Sequence, residues 1–210
     1  MTTNKNRGNT EQSGIRKITA KYFTRSVVGL LAKTHISPNA LTWTGFILSL
    51  GAAALIFTGN LLASGFVILI AGFFDMLDGA LARTTDRITR FGGVLDSTLD
   101  RLSEAAVLLA VLYVYAVGHS VPGIILVGLA IIGSLMVSYL RSRAEASNLN
   151  CEVGVFTRPE RVIVLSLGLL LSGLRYALTV SLAIIVVFSA VSILQRIIFV
   201  WQQTKNMPEK

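Results

Sequence analysis

Residues 75–100, DMLDGALARTTDRITRFGGVLDSTLD, place four aspartates in two otherwise apolar segments. Asp75 and Asp78 stand three residues apart near the end of one segment, and Asp96 and Asp100 stand four apart at the start of the next. Residues three or four apart share one face of an α-helix, so each pair projects from one side of its helix. The stretch therefore predicts two helices, joined by a short turn, whose four carboxylates meet at one point.

The composition around these acids is that of a membrane protein. The types AVILMFWYC make up 53% of the 210 residues and charged types only 14%, whereas soluble domains carry about 25% charged residues. A water-soluble globule cannot bury that much apolar surface. We therefore predict an all-α integral membrane protein and exclude disorder, a coiled coil and a disulfide scaffold, the last because Cys151 is the single cysteine.

A helix needs about 20 apolar residues to cross a bilayer, and six stretches approach or exceed that length. We predict transmembrane helices over residues 39–58, 61–82, 93–117, 121–143, 159–174 and 177–200. Together they form one six-helix domain over residues 35–202. Residues 15–34 alternate basic and apolar types, which predicts an amphipathic helix on the membrane surface. Residues 1–14 are predicted to be a disordered tail, and residues 203–210 a second tail.

The basic residues predict the orientation. Seven precede the first span, and others lie between spans two and three, between spans four and five, and after the sixth, whereas the opposite loops contain only Arg175. Because cytoplasmic loops are the basic ones, we expect both termini and the four aspartates on the cytoplasmic side of a cell membrane. The same distribution explains the net charge of +8 without a nucleic-acid partner.

Acids inside predicted spans indicate function, because a charged side chain at the bilayer centre costs at least ~2.5–3.5 kcal/mol on insertion scales. Four close anions need compensating charge, and hard oxygen ligands favour Mg²⁺, Mn²⁺ or Ca²⁺ over zinc. Four carboxylates suit two metal ions, an arrangement used for attack at phosphorus. The alternative is a set of ion pairs with Arg83, Arg90 and Arg101, which does not explain the spacing of the acids.

The full pattern of the stretch is D-x2-D-G-x2-A-R-x8-G-x3-D-x3-D, and it resembles the signature of the CDP-alcohol phosphotransferase family. The matching positions are Asp75, Asp78, Gly79, Ala82, Arg83, Gly92, Asp96 and Asp100. The resemblance implies an Mg²⁺-dependent enzyme, and a homodimer, that transfers a phosphatidyl group from a CDP-linked lipid to an alcohol and releases CMP.

The resemblance also implies roles for single residues. Asp75, Asp78 and Asp96 would hold two Mg²⁺ ions, with Mn²⁺ as a substitute, and Asp100 would complete one metal site and act as the general base. The residues implied to contact the CDP-lipid are Asn39, Ala40, Leu41, Thr42, Gly79, Ala82, Arg83 and Thr89.

Three later segments, VSYLRSRAEASNL, TRPERVIVL and SILQRIIFVW, resemble phosphatidylinositol phosphate synthases. This resemblance implies that the acceptor is inositol phosphate and that Arg141, Arg161 and Arg196 bind its phosphate. Arg196 interrupts an apolar span, so it either holds an anion or snorkels to the interface. Arg143 and Glu145 are expected to pair with each other or to cap their helix.

The predicted function is therefore transfer from CDP-diacylglycerol to inositol phosphate, giving phosphatidylinositol phosphate and CMP. Within the same family, a phosphatidylglycerophosphate synthase or an archaetidylinositol phosphate synthase, which uses a CDP-linked ether lipid, stays open. A small cation transporter is an alternative of a different class. A transporter would need acids along a pathway, whereas all four aspartates are predicted near the cytoplasmic face.

Overall fold

The computed structural model describes residues 37–149, 151 and 153–205, and all regular structure within them is helical. The predicted amphipathic helix of residues 15–34 and the tail of residues 1–14 lie outside the described residues. The six helices are α1 (Pro38–Phe57), α2 (Leu61–Thr84), α3 (Arg90–Val117), α4 (Val121–Ala146), α5 (Arg158–Leu170) and α6 (Ala177–Lys205).

Local sequence explains where α1 and α3 begin. The Ser37 hydroxyl accepts a hydrogen bond from the Ala40 amide at 3.2 Å, and Pro38 follows it at the first helical position. Before α3, the Thr89 hydroxyl accepts from the Gly92 amide at 2.9 Å. Such caps stabilise a helix by about 1 kcal/mol. Here they also set the positions of two helix starts that border the candidate site.

The six helices pack into a closed ring. The closely packed pairs are α1–α2, α2–α5, α5–α6, α6–α4, α4–α3 and α3–α1. Although α2 and α3 are consecutive in the chain, α1 packs between them. The ring encloses a hydrophobic core to which every helix contributes buried side chains, among them Ala52, Ile68, Val111, Val127, Leu169 and Ile185.

Four helices, α1, α2, α4 and α6, are long and apolar enough to cross a membrane. Outward-facing apolar side chains such as Ile47, Phe66 and Ile132 are more than half exposed, as expected of a lipid-facing surface. These helices indicate a multi-pass membrane protein.

The predicted third and fifth spans do not meet the same criteria of length and composition. The third helix carries five charged residues in its first half, from Arg90 to Glu104. The fifth has 13 residues, which rise about 20 Å against a hydrocarbon core of about 30 Å. Its predicted end at residue 174 is wrong, because the helix stops at Leu170 before a turn containing Gly173.

At the carboxyl end of the described chain, α6 continues through Lys205, into the segment predicted to be a tail.

Close packing between α5 and α6 predicts that Gly168→Ala destabilises the protein. A Cβ atom at Gly168 would lie 2.5 Å from the Ser181 Oγ and 2.7 Å from its Cβ, and overpacking of this kind costs about 1–3 kcal/mol. At Gly128 in α4, a Cβ would meet nothing within 4 Å, so Gly128→Ala is the matched control. Thermal unfolding in detergent should show a lower Tm for Gly168→Ala alone; equal Tm values for both variants would contradict the packing described.

Candidate active site

Three of the four aspartates form a cluster between α2 and α3. Asp75, Asp78 and Asp96 each offer a carboxylate oxygen, and these atoms lie within 4.8 Å of one another. Oxygens on opposite sides of one Mg²⁺ are separated by about 4.2 Å, so the spacing is close to that of a shared cation.

The environment of Asp78 fits a metal ligand. Its side chain is buried, at 4% exposure. One carboxylate oxygen accepts a hydrogen bond from the Gly79 amide at 2.5 Å, while the other, Oδ2, is buried and has no hydrogen-bond partner within the described part of the chain. A buried anionic oxygen without a partner is energetically costly. The chemistry of the cluster therefore fits a hard divalent cation.

Asp100 lies next to this cluster but outside the group of atoms within 4.8 Å, and Arg158, the first residue of α5, contacts both Asp100 and Asp75. The Arg158 guanidinium donates a hydrogen bond to the Asp75 carboxylate and forms an ion pair with Asp100, whose Oδ1 lies 2.6 Å from Nη1 of Arg158. A capping box formed by Thr157 and Glu160 fixes the start of α5. All three members of this bridge, Asp75, Arg158 and Asp100, are about one-fifth exposed.

The sequence-based alternative named the wrong arginines as ion-pair partners. Among the described residues, two of the four aspartates, Asp75 and Asp100, form ion pairs, and both pair with Arg158. Arg101 instead donates to the Ser97 carbonyl at 2.6 Å and to the Ser142 hydroxyl at 2.9 Å. Nothing local marks Arg158 in the sequence, since its partners lie on two distant helices.

A second ion pair crosses the ring one helical turn further along. Arg161 donates from Nε and Nη2 to the two carboxylate oxygens of Glu104, at 2.6 and 2.8 Å. Glu104 lies four residues after Asp100, and Arg161 lies three residues after Arg158, so two acids on α3 face two arginines on α5. We call these four residues the α3–α5 charge ladder. The continued four-residue spacing of Asp96, Asp100 and Glu104 was the signal that could have identified it.

A cleft of about 280 Å³ opens beside the acid cluster, between the starts of α1 and α3 and the end of α2. Asp78 and Asp96 lie in its wall. Six of the eight residues predicted to contact a CDP-lipid also line it, namely Asn39, Thr42, Gly79, Ala82, Arg83 and Thr89.

The other two predicted contacts do not line the cleft. Leu41 packs in a small buried cluster with Leu77 and Leu81, and Ala40 is exposed outside the cleft lining. The reason is helical periodicity, since only one face of the first turns of α1 can border the cleft. Gly92 also lines the cleft. A side chain does not fit there without a shift, because a Cβ atom would lie 2.8 Å from the Thr89 Oγ1 and 3.2 Å from the Asn39 Oδ1.

The three arginines predicted to bind the acceptor, Arg141, Arg161 and Arg196, come from α4, α5 and α6, and α6 packs against both α4 and α5. Each also has a protein partner. Arg141 pairs with Glu145 at 2.8 Å, so the expected Arg143–Glu145 pair is wrong: i, i+4 spacing aligns residues 141 and 145 on one helix face.

Arg196 does not snorkel, because its side chain is only 3% exposed. It turns inward, donating from Nε to the Val153 carbonyl at 2.9 Å and from Nη1 to the Val137 carbonyl. Arg196 therefore connects α6 to α4 and to the segment that precedes α5.

Comparison with known proteins agrees with this geometry. A family model described as CDP-alcohol phosphatidyltransferase matches residues 35–201. The chain belongs to the CDP-alcohol phosphatidyltransferase family. The match contains the acid cluster, the cleft and the three arginines of this phosphatidyltransferase.

Relatives of this phosphatidyltransferase carry related names. An archaetidylinositol phosphate synthase of Methanothermobacter thermautotrophicus is 38% identical over 167 residues, which are 79% of this chain and 83% of the relative. A phosphatidylinositol phosphate synthase of Mycobacteroides abscessus is 35% identical over 178 residues, 82% of this chain and 81% of the relative.

Solved structures of the Mycobacterium tuberculosis phosphatidylinositol phosphate synthase share the fold. The structure with CDP-DAG bound is 34% identical to this chain and superposes with a TM-score of 0.76, covering 85% of this chain and 93% of the other. The structure in complex with manganese and citrate has the same identity and TM-score and covers 85% and 88%.

The Arg158 bridge predicts that Arg158→Gln destabilises the phosphatidyltransferase in buffer containing EDTA. The change removes the guanidinium that pairs with the carboxylates of Asp75 and Asp100. Exposed ion pairs contribute up to about 1 kcal/mol, and removing one partner of a fully buried pair costs about 3–5 kcal/mol. We expect a loss of about 2 kcal/mol for this partly exposed bridge, measured by reversible unfolding. The control is Arg175→Gln in the α5–α6 turn, where Arg175 lies over the Tyr176 ring. Equal stability of the two variants would contradict a stabilising bridge.

Proposed function

We propose that this phosphatidyltransferase transfers a phosphatidyl group from CDP-diacylglycerol to inositol phosphate, giving phosphatidylinositol phosphate and CMP. The observation that carries the proposal is the juxtaposition of three carboxylates with a cleft bordered by Gly79 and Gly92. Arg141, Arg161 and Arg196 come from α4, α5 and α6, and α6 packs against the other two helices. This placement supports an anionic acceptor, and so do the names of the relatives.

In this proposal the cleft binds the CDP portion of the donor. Asn39, Thr42, Arg83 and Thr89 provide polar groups, and Gly79 lets the nucleotide approach the backbone of α2. Asp75, Asp78, Asp96 and Asp100 hold two Mg²⁺ ions. Bound divalent cations neutralise charge on the diphosphate and on departing CMP.

Asp100 is proposed as the general base. It accepts the proton of the acceptor hydroxyl as that oxygen forms a bond to the lipid-bearing phosphorus, and the bond from this phosphorus to the CMP oxygen breaks. Arg158 holds the Asp100 carboxylate in place through the 2.6 Å contact. Arg141, Arg161 and Arg196 bind the phosphate of the acceptor.

We also propose the full membrane arrangement of six transmembrane helices in residues 35–202, preceded by an interfacial helix in residues 15–34. The 28 residues of α3 rise about 42 Å, which is enough to cross the bilayer with the charged half at one face. The distribution of basic residues supports a cytoplasmic location for that face, for the site and for both termini. The proposed assembly is a homodimer.

The acid cluster predicts metal-dependent turnover. Excess EDTA should abolish CMP release, and Mg²⁺ or Mn²⁺ should restore it, whereas Zn²⁺ should do so poorly because the proposed ligands are carboxylate oxygens. The binding of Mn²⁺, followed by electron paramagnetic resonance, should weaken in Asp78→Asn and not in the exposed control Asp86→Asn. Undiminished turnover in EDTA would refute the metal site.

The acceptor is identified by comparing four candidate acceptors in separate assays. Purified protein with CDP-diacylglycerol and Mg²⁺ receives inositol phosphate, glycerol phosphate, serine or free inositol, and CMP release is measured. We expect inositol phosphate to give the highest kcat/KM. Preference for glycerol phosphate would favour a phosphatidylglycerophosphate synthase, and preference for free inositol would contradict the role of the three arginines. A CDP-linked ether lipid in a parallel series tests the archaetidylinositol phosphate synthase activity named for one relative.

A further inference from the structure

The Glu104–Arg161 pair uses one edge of a buried guanidinium and leaves the other edge free. Arg161 is 2% exposed, and its Nε and Nη2 atoms donate to the two carboxylate oxygens of Glu104. The remaining terminal nitrogen, Nη1, is buried and has no hydrogen-bond partner among residues 37–149, 151 and 153–205. The planar fork of an arginine can serve one anion along each edge.

Arg161 lies beside the Arg158 bridge. Together with Glu104 and Arg158 it lines a cavity of about 30 Å³ in the ring interior, whose other lining residues are mostly apolar, and Arg158 in turn contacts Asp100. The helix of Arg161, α5, packs against the helix of Arg196, α6. A buried donor without a protein partner is costly, and under the proposed function the acceptor phosphate would be its partner.

We propose that Glu104 is a positioning residue for the acceptor: it fixes Arg161 by its side edge and so presents Nη1 to the acceptor phosphate. The inference rests on the proposed function. Glu104 itself touches no substrate, because both of its oxygens are occupied by Arg161. Its contribution is the orientation of a guanidinium that would otherwise rotate about its long side chain.

Positioning and simple electrostatics predict opposite signs for Glu104→Gln. If Glu104 served only to neutralise Arg161, removing its charge would make the pocket more positive and lower the KM for an anionic acceptor. If it orients Arg161, the variant loses one charged hydrogen bond and sets an amide N–H₂ against a guanidinium N–H, which turns the fork. The KM for inositol phosphate should then rise about tenfold.

The experiment measures CMP release by the full-length protein at varied inositol phosphate and at varied CDP-diacylglycerol. For Glu104→Gln we expect the inositol phosphate KM to rise about tenfold, with the CDP-diacylglycerol KM and kcat unchanged within about threefold. The matched control is Asp86→Asn, which neutralises an exposed acid in the turn between α2 and α3 and should leave the inositol phosphate KM within about twofold, because solvent and salt screen exposed charges. An unchanged or lowered KM in Glu104→Gln overturns the inference.

A double-mutant cycle separates positioning from a general loss of structure. In an Arg161→Gln background, Glu104→Gln should have no further effect on the inositol phosphate KM, because the residue through which it acts is gone. If Glu104→Gln raises the inositol phosphate KM by the same factor in the wild-type and in the Arg161→Gln background, the inference is wrong. If Glu104→Gln does not fold, Glu104→Asp is measured instead, because it retains the charge but shortens the side chain. An unchanged inositol phosphate KM in Glu104→Asp would also show that the inference is wrong.

The wild-type protein distinguishes a failure of this inference from a failure of the proposed function. If wild-type protein releases CMP with another acceptor and not with inositol phosphate, the proposed function is wrong. If wild-type protein uses inositol phosphate and Glu104→Gln matches its KM, only the positioning role is wrong.

Discussion

The Arg158 guanidinium contacts carboxylates on both α2 and α3, and the arrangement of the ring depends on this interaction. The helix α1 packs between α2 and α3, and α5 packs directly against α2. Within the described part of the chain, Arg158 and Arg161 of α5 are the ion-pair partners of acids on both α2 and α3. Removing two charges from water is costly unless their geometry and their hydrogen bonds compensate. The two-bond Glu104–Arg161 contact and the shared Arg158 contact meet that requirement.

Much of the helical architecture could be predicted from the sequence because the bilayer restricts the possible structures. Apolar runs of about 20 residues separated by glycine or proline breaks leave helices as the only option, and the predicted starts of five helices agree with the structure within one residue. The start of α3 differs by three residues, since Thr89 caps it before the apolar run begins. The ring order was not predictable, because hydropathy carries no information about which helix packs against which.

The site shows the same division between local and long-range information. Asp75, Asp78 and Asp96 come together as their spacing predicted, because each pair occupies one helix face. The separate environment of Asp100, the bridge by Arg158 and the pairing of Arg161 with Glu104 involve partners 57 or more residues apart. Leu41 was predicted to contact the CDP-lipid but lies in a small buried cluster, since a four-residue stretch of helix presents side chains to more than one side.

The ring also has an order of assembly. Consecutive helices pair as α1–α2, α3–α4 and α5–α6, while the contacts that close the ring join different pairs. Synthesis from the amino terminus produces the acid-bearing helices α2 and α3 before the arginines of α5 exist. Until the last hairpin inserts, the carboxylates of the first two hairpins lack their native ion-pair partners. The insertion of α5 therefore both completes the bundle and supplies the ion-pair partners of its buried acids. A nascent chain that stops before α5 carries unpaired charges in the membrane, which quality-control proteases and chaperones can recognise.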